Sequence, residues 1–106
     1  MGHRLSKITT RTGDAGETGL GDGSRVPKDS PRVRALGDLD ELNSVIGMVL
    51  AETVPPEVRE ALLQVQHDLF DLGGEISIPG HVLLKPARVE AVEVALQAWN
   101  AGLAAL

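Results

Sequence analysis

A segment rich in glycine and threonine, residues 7–29, has the residue types of a site for a polar, anionic ligand. Five glycines fall between Gly13 and Gly23, and they weaken any helix or strand that the segment forms by itself. Glycine leaves backbone N–H groups accessible. Hydroxyls and cations are interleaved with the glycines: Thr10, Thr12, Thr18, Arg11, Arg25 and Lys28. Because phosphate oxygens accept hydrogen bonds from such groups, the segment suits a phosphate chain.

The glycine spacing in this segment matches none of the common nucleotide motifs. No Gly-Lys-Ser/Thr follows, as in a Walker A loop, and the Gly-x-Gly-x-x-Gly spacing of a Rossmann fingerprint is absent. Asp14 and Asp22 are too isolated for an EF-hand loop. A flexible N-terminal arm is the alternative. Acidic residues alternate with the cations, however, and favour an ordered segment in which a carboxylate reaches magnesium through water or fixes an arginine.

A second group of polar residues lies on the first predicted helix. At about 100° per residue, Asn43 falls inside the apolar stripe, Asp40 lies at its edge, and Gly47 follows one turn later. A buried Asn or Asp needs a hydrogen-bond partner, so this group is either a polar contact between packed helices or a contact to another subunit or a ligand. Gly47 would allow another helix or a flat ligand to approach closely. Asp38 and Glu41 point elsewhere and are predicted to be solvated.

No arrangement of side chains for nucleophilic catalysis or metal binding is evident. The histidines His3, His67 and His81 lack ligand spacing, and no Ser/His/Asp set is present. His67 sits beside the apolar seam of the second helix, and Trp99 is expected in the core. We assign no metal ligands and no catalytic residue, and we expect any chemistry to come from bound substrates.

The composition narrows the class of protein further. A net charge of −5 argues against an unspecific nucleic-acid binder, and an aromatic content of 2% leaves no platform for stacking bases. No cysteine is present, which excludes disulfides and thiolate chemistry and fits the reducing cytoplasm. No apolar run reaches the length of a membrane span, so we expect no membrane partner.

Three amphipathic patterns follow the polar segment. The first runs from Pro31 to about Thr53, with Ser30 as the N-cap and Pro31 in the first helical position. Its apolar face consists of Leu36, Leu39, Leu42, Ile46, Val49 and Leu50. The second begins at Pro55–Pro56 and carries a heptad seam of Val58, Leu62, Val65, Leu69, Leu72 and Ile76. Gly73 and Gly74 weaken its last turns or allow a close approach of another backbone.

The third pattern begins at Pro86, after a predicted loop over residues 79–85. Its seam consists of Val89, Val92, Leu96, Trp99 and Leu103. The fold predicted from these patterns is all-α, an up-down bundle of antiparallel helices joined by short loops, with no strand pair. Residues 1–30 form the N-terminal loop segment and residues 31–106 the bundle portion of one domain. Because the last residues are apolar, we expect further helix or other subunits to cover the exposed seam.

Several longer motifs of the chain resemble the PduO-type ATP:cob(I)alamin adenosyltransferases. The first part of the resemblance is Lys7-Ile8-Thr9-Thr10-Arg11-Thr12-Gly13-Asp14, then Gly16-Glu17-Thr18-Gly19-Leu20, then Arg25-Val26-x-Lys28-Asp29. The second part is Arg32-Val33, Gly37-x-x-Asp40-Glu41-Leu42-Asn43-x-x-Ile46-Gly47 and Gln66-x-Asp68-Leu69-Phe70-x-Leu72-Gly73. The resemblance covers nearly the whole chain from Lys7, and so long a combination is far more specific than any single glycine pattern.

The resemblance implies a five-helix, ferritin-like bundle, of which three helices are present here, assembled as a homotrimer. It implies a cytoplasmic enzyme that transfers the 5′-deoxyadenosyl group of ATP to cob(I)alamin, with magnesium, and releases triphosphate. The residues carried over as ATP contacts are Thr10, Arg11, Thr12, Gly13, Thr18, Gly19 and Lys28. Asp40 resembles the family's intersubunit ion-pair carboxylate. Asn43 belongs to the same motif and is expected to support the interface or the active site.

The chain departs from the family pattern in two respects. Thr9 stands where family members usually carry an aromatic residue. The family's arginine-rich ATP motif, the asparagine that follows it and an aromatic segment that lines the cobalamin site have no counterpart in these 106 residues. We therefore expect this chain alone to be poorly active or inactive, with exposed apolar seams. The alternatives are a non-catalytic nucleotide-binding helical module, a truncated inactive homologue or a purely structural helical assembly domain.

Overall fold

The computed structural model describes residues 7–105, so the prediction for His3 lies outside the described residues. A short β-hairpin precedes three helices. The elements are β1 (Glu17–Gly19), β2 (Arg25–Pro27), α1 (Pro31–Leu50), α2 (Pro56–Ser77) and α3 (Pro86–Ala101). The predicted order of three helices behind a glycine-rich segment is confirmed. No helix of the described residues is long and apolar enough to cross a membrane.

The hairpin corrects the prediction that the chain contains no strand pair. Strands β1 and β2 are antiparallel, with Thr18 opposite Val26 and Gly19 opposite Arg25. Each strand has only three residues, which is too short for an alternating pattern to show in the sequence. Thr18 and Val26 are β-branched and half-buried, and their pairing explains why two such short strands form at this position.

Helix α1 begins as predicted and ends earlier than predicted. The Ser30 side chain accepts a hydrogen bond from the Val33 amide at 3.4 Å, and Pro31 is the first helical residue. The helix ends at Leu50 rather than at Thr53. The reason is that the Arg59 guanidinium, from α2, donates hydrogen bonds to the carbonyls of Leu50 and Glu52 at 2.9 and 3.1 Å. Those carbonyls therefore have partners without a continued helix.

Helices α1 and α2 pack antiparallel. Three hydrogen bonds from side chains to carbonyls join them from one end to the other. They run from Arg32 to Ile76 (2.6 Å), from Gln66 to Asn43 (3.1 Å) and from Arg59 to Leu50 (2.9 Å). All six residues of the predicted α2 seam are half-buried, and Ile46 of α1 is buried. Gly47 faces α2, but a β-carbon there would make only an ordinary contact, 3.6 Å from the Gln66 amide nitrogen, so the predicted close approach at Gly47 stays a prediction.

Helix α3 folds back along α2, and its contacts with α2 are fewer than those of α1. Leu83, in the preceding loop, lies over Gly74, where a β-carbon would fall 2.7 Å from the Leu83 Cδ1. The close approach at Gly74 is therefore made by a side chain rather than by another backbone. Arg88 then forms a two-pronged ion pair with Asp68 of α2, at 2.9 and 3.0 Å.

The apolar seam of α3 is exposed, as expected for this chain, and Trp99 does not lie in a core. Trp99 retains 43% of its exposure, and Val89, Val92 and Leu96 are exposed as well. Val92, Leu96 and Trp99 line an open, mainly apolar groove of about 760 Å³ between α2 and α3. The core prediction for Trp99 is wrong because, within residues 7–105, α3 packs mainly against α2 and the groove beside Trp99 stays open.

Candidate functional site

The glycine-rich segment is docked onto the end of α2 rather than hanging free. Leu20 is buried at 7% exposure, and the Gly21 amide donates to the Ser77 carbonyl at 2.7 Å. A β-carbon at Gly21 would fall 2.5 Å from Cγ1 of Ile78, so this approach requires glycine. The alternative of a flexible arm therefore does not hold for the hairpin, residues 17–27, because its turn is seated on the end of α2.

Lys28 and Gly13, two of the predicted ATP contacts, are brought together by the hairpin. A β-carbon at Gly13 would lie 2.9 Å from both Cε and Nζ of Lys28 and 3.0 Å from the Glu17 carbonyl oxygen. The Lys28 amide also donates to the Gly16 carbonyl at 2.9 Å. The lysine ammonium thus lies directly over the loop backbone, where glycine presents no side chain to exclude an anion.

Hydrogen bonds within the loop also order the residues on either side of Gly13. The Thr10 and Thr12 hydroxyls are hydrogen-bonded to each other at 2.9 Å, and the Gly16 amide donates to the Gly13 carbonyl at 3.1 Å. Arg11 has a φ of 58°, a left-handed conformation that is uncommon for a residue with a side chain. Such strain is found mainly where the surrounding structure fixes a functional loop.

Two predicted loop contacts have structural roles in the hairpin. Thr18 is half-buried in β1 opposite Val26, whereas Thr10 and Thr12 are exposed. Gly19 lies beneath Arg25, whose Nη1 is 3.6 Å from the position of a Gly19 β-carbon. The structure therefore groups Thr10, Arg11, Thr12, Gly13 and Lys28 around one stretch of loop and places Thr18 and Gly19 in the strand beneath it.

The acidic residues of the loop do not form a metal site by themselves. Asp22 accepts hydrogen bonds from the hydroxyl and the amide of Ser24, at 2.6 and 2.9 Å, and these bonds lower the pKa of the Asp22 carboxyl. Asp22 thus closes the hairpin turn. Among residues 7–105, no three His, Cys, Asp or Glu side chains are grouped so as to hold a metal ion.

Asp40 and Asn43 line a cavity of about 270 Å³ between α1 and α2. The Asp40 side chain is exposed, and the Oδ1 atom of Asn43 is buried without a hydrogen-bond partner among the described residues. Ser77 lines the same cavity, and its carbonyl holds Gly21 of the loop. The loop is thus anchored at one end of the cavity. The described residues include no direct hydrogen bond between either polar side chain and the loop.

The ion pair of Asp68 with Arg88 is the polar contact that sequence reasoning missed. The Arg88 hydrogen bonds lower the pKa of the Asp68 carboxyl, although its burial acts in the opposite direction, and they raise the pKa of Arg88. Gln64 adds a weaker hydrogen bond at 3.4 Å. The signal in the sequence was an aspartate set between Val65 and Leu69 of the apolar seam, where a charge needs a partner.

Comparisons with known proteins agree with this arrangement. Residues 8–106 match the family model of cobalamin adenosyltransferases. A cobalamin adenosyltransferase of Cupriavidus metallidurans is 64% identical over 104 residues, which cover 97% of this chain and 56% of the relative. A corrinoid adenosyltransferase of Mycobacterium tuberculosis is 43% identical over 114 residues, which cover 100% of this chain and 59% of the relative.

Solved structures give the same answer. A variant PduO-type ATP:corrinoid adenosyltransferase from Lactobacillus reuteri, complexed with cobalamin and ATP, superposes with a TM-score of 0.81 at 28% identity. The superposition covers 94% of this chain and 60% of that chain. The chain belongs to the cobalamin adenosyltransferase family, which confirms the resemblance found in its motifs. It spans little more than half the length of the curated relatives that it matches.

Proposed function

We propose that residues 7–30 bind the triphosphate of ATP. We propose further that the chain acts as a corrinoid adenosyltransferase, which transfers the 5′-deoxyadenosyl group of ATP to cob(I)alamin. The observation that carries this proposal is the Lys28 ammonium held over Gly13 by the hairpin. Family membership supports it, and so do solved relatives complexed with cobalamin and ATP. ATP and cob(I)alamin are the two substrates, and Mg²⁺ accompanies the nucleotide.

The loop supplies three kinds of group to the triphosphate. Lys28 and Arg11 supply positive charge, the Thr10 and Thr12 hydroxyls supply hydrogen bonds, and Gly13 allows the backbone to approach the phosphates. Thr18 and Gly19 support this surface from the strand. A magnesium ion would add charge on the phosphate oxygens, with Asp14 or Glu17 reaching it through water.

The protein's contribution to the reaction is positioning and electrostatics rather than a nucleophile. Cob(I)alamin supplies the electron pair that forms the cobalt–carbon bond to C5′, and the bond from C5′ to the triphosphate oxygen breaks. The oxygen leaves with its electron pair, and cobalt is oxidised from the +1 to the +3 state. The loop holds C5′ in line for this displacement, and Lys28 and Arg11 stabilise the charge on the departing triphosphate.

The homotrimer and the cytoplasmic location implied by the family belong to the same proposal. The exposed Asp40 carboxylate is available to an arginine of a neighbouring subunit. Four apolar side chains of α1 are also exposed: Leu42, Val45, Met48 and Val49. Subunit contacts would bury these residues. The absence of cysteine in the sequence fits a reducing compartment.

An anaerobic adenosylation assay tests the reaction. The chain is mixed with cob(I)alamin, ATP and magnesium, and the corrinoid spectrum and the released triphosphate are followed. The proposal predicts adenosylcobalamin and triphosphate in equal amounts, at the low rate expected of this chain by itself. That rate should fall at least about tenfold in Lys28→Ala and not in the exposed control Arg34→Ala. Saturable ATP binding without product would instead favour a non-catalytic nucleotide-binding helical module or a truncated inactive homologue.

A further inference from the structure

Arg25 is the one loop cation whose side chain donates to the loop backbone among the described residues. Its Nη2 donates to the carbonyls of Thr12 and Glu17, at 2.9 and 3.2 Å. The hairpin register sets Arg25 opposite Gly19, and the guanidinium folds back across the strand, with Nη1 3.6 Å from the position of a Gly19 β-carbon. One nitrogen thus bridges two carbonyls that lie five residues apart in the chain.

The two carbonyls bracket the stretch that faces the Lys28 ammonium. Thr12 directly precedes Gly13, and the Glu17 carbonyl oxygen lies 3.0 Å from the position of a Gly13 β-carbon. The Gly16 carbonyl, which lies between them in the sequence, accepts a hydrogen bond from the Lys28 amide. Strand β2 and the residue that follows it therefore hold the loop at three carbonyls, and Arg25 makes two of these three attachments.

The Arg25 bond to the Thr12 carbonyl also fixes the direction of the next amide. In a planar trans peptide the C=O and N–H groups point in opposite directions. No cis peptide bond occurs in the described residues, so the Gly13 N–H points away from the guanidinium. Within residues 7–105 this N–H donates to no backbone or side-chain acceptor. It is therefore available to an anion on the outer side of the loop.

We propose that Arg25 is a positioning residue for the nucleotide, acting through the Gly13 amide rather than through its own charge. This inference rests on the proposed function, since it assigns the orientation of the same triphosphate site. Both N–H groups of Nη2 are used by carbonyls, and Nη1 lies over Gly19. Removing Arg25 would release Thr12 and Glu17, let the Thr12–Gly13 peptide rotate, and weaken ATP binding even with Lys28 intact.

Two variants separate positioning from charge. Arg25→Gln removes both the charge and the planar guanidinium, whereas Arg25→Lys keeps the charge but loses the planar two-donor geometry. Arg34→Gln, on the exposed surface of α1, is the matched control. The affinity for MgATP is measured by titration calorimetry. The amide of Gly13 is followed by ¹⁵N NMR, both for its shift on adding MgATP and for hydrogen exchange without nucleotide.

Both Arg25 variants are expected to raise the dissociation constant for MgATP about tenfold, to reduce the Gly13 shift and to speed exchange at Gly16 and Lys28. The amide signals of α1 and α2 should stay unchanged, which shows that the helices remain folded.

Full affinity in Arg25→Lys would overturn the proposal in favour of a charge contact, and unchanged binding and exchange in Arg25→Gln would overturn it outright. If the unsubstituted chain does not bind MgATP, the proposed function fails. Unchanged exchange at Gly16 and Lys28 would independently refute the ordering role of Arg25.

Discussion

Lys28 lies against Gly13 so closely that the glycine cannot gain a side chain without moving the lysine. The Cε and Nζ atoms of Lys28 would each be 2.9 Å from a β-carbon at Gly13. These atoms are the far end of a flexible side chain, so the lysine can move. The Glu17 carbonyl oxygen, at 3.0 Å, belongs to the backbone of β1 and cannot move as easily. The position of the Lys28 ammonium therefore depends on residue 13 being a glycine.

Gly13→Ala is expected to weaken ATP binding without unfolding the protein. The new methyl group displaces the Lys28 ammonium and occupies the surface that faces the phosphates. The loss of one charged hydrogen bond corresponds to about 1.5–3 kcal/mol, or roughly tenfold to a hundredfold in the dissociation constant. Titration calorimetry with MgATP measures this change.

Gly37→Ala is the matched control for that substitution. Gly37 lies within α1, and no atom is within 4 Å of the position of its β-carbon. Alanine there should raise the free energy of unfolding by about 0.5–1 kcal/mol and leave ATP affinity unchanged. Equal ATP affinity in Gly13→Ala and Gly37→Ala would show that Lys28 and Gly13 do not form one binding surface.

Gly21→Ala is expected to release the hairpin from the bundle. A β-carbon there would fall 2.5 Å from Ile78 Cγ1 and 3.1 Å from the Ser77 carbonyl oxygen. Because the clash involves backbone as well as side-chain atoms, the turn must lift and the hydrogen bond from Gly21 to Ser77 lengthens. Limited proteolysis should then cut residues 7–30 several times faster than in the unsubstituted protein, while α1 and α2 stay protected. An unchanged cleavage rate would mean that the turn is not seated on α2.

Asp68→Asn is expected to lower the free energy of unfolding by about 1–2 kcal/mol, because it removes the charge that pairs with the part-buried Arg88. Chemical denaturation measures the loss. Asp71→Asn, an exposed aspartate on the same helix, should stay within about 0.5 kcal/mol of the unsubstituted protein. A similar loss in both variants would indicate a general effect of helix charge rather than the ion pair.

The same pair predicts an acid-dependent loss of stability. The pKa of Asp68 in the folded protein lies below its ordinary value of 3.8, because Arg88 donates to the ionised form. The stabilisation is therefore complete above about pH 5 and is lost as the pH falls through the lowered folded pKa. Denaturation between pH 7 and pH 2 should show a steeper loss in the unsubstituted protein than in Asp68→Asn. Parallel curves would contradict this assignment.

The helices were predictable from the sequence because their signals are local. Ser30 with Pro31, and Pro56 and Pro86 at the starts of the later helices, mark boundaries by backbone chemistry alone. The C-terminal end of α1 was misplaced because Arg59, nine residues beyond Leu50, takes its last carbonyl. Trp99 was misplaced because burial depends on what packs against α3, and the periodicity of a helix does not contain that information.

The candidate site was predictable in its residue types and less so in its geometry. Glycines and cations of the loop identified Gly13 and Lys28, which the structure places together. The internal role of Arg25 was hidden, because an arginine that holds carbonyls and one that holds phosphate look alike in a sequence. The pairing of Asp68 with Arg88 was also hidden, since twenty residues and a loop separate the partners.

Titration of MgATP into the unsubstituted chain and into Lys28→Ala decides whether the loop that holds Lys28 over Gly13 is the ATP site. Binding should be saturable, at about one nucleotide per chain, with a dissociation constant at least about tenfold higher in Lys28→Ala and an unchanged thermal midpoint. The Lys28 ammonium makes no ion pair among the described residues, so its removal should leave the fold intact. Absence of saturable binding, or equal affinity in the two proteins, would contradict the assignment of this loop as the ATP site.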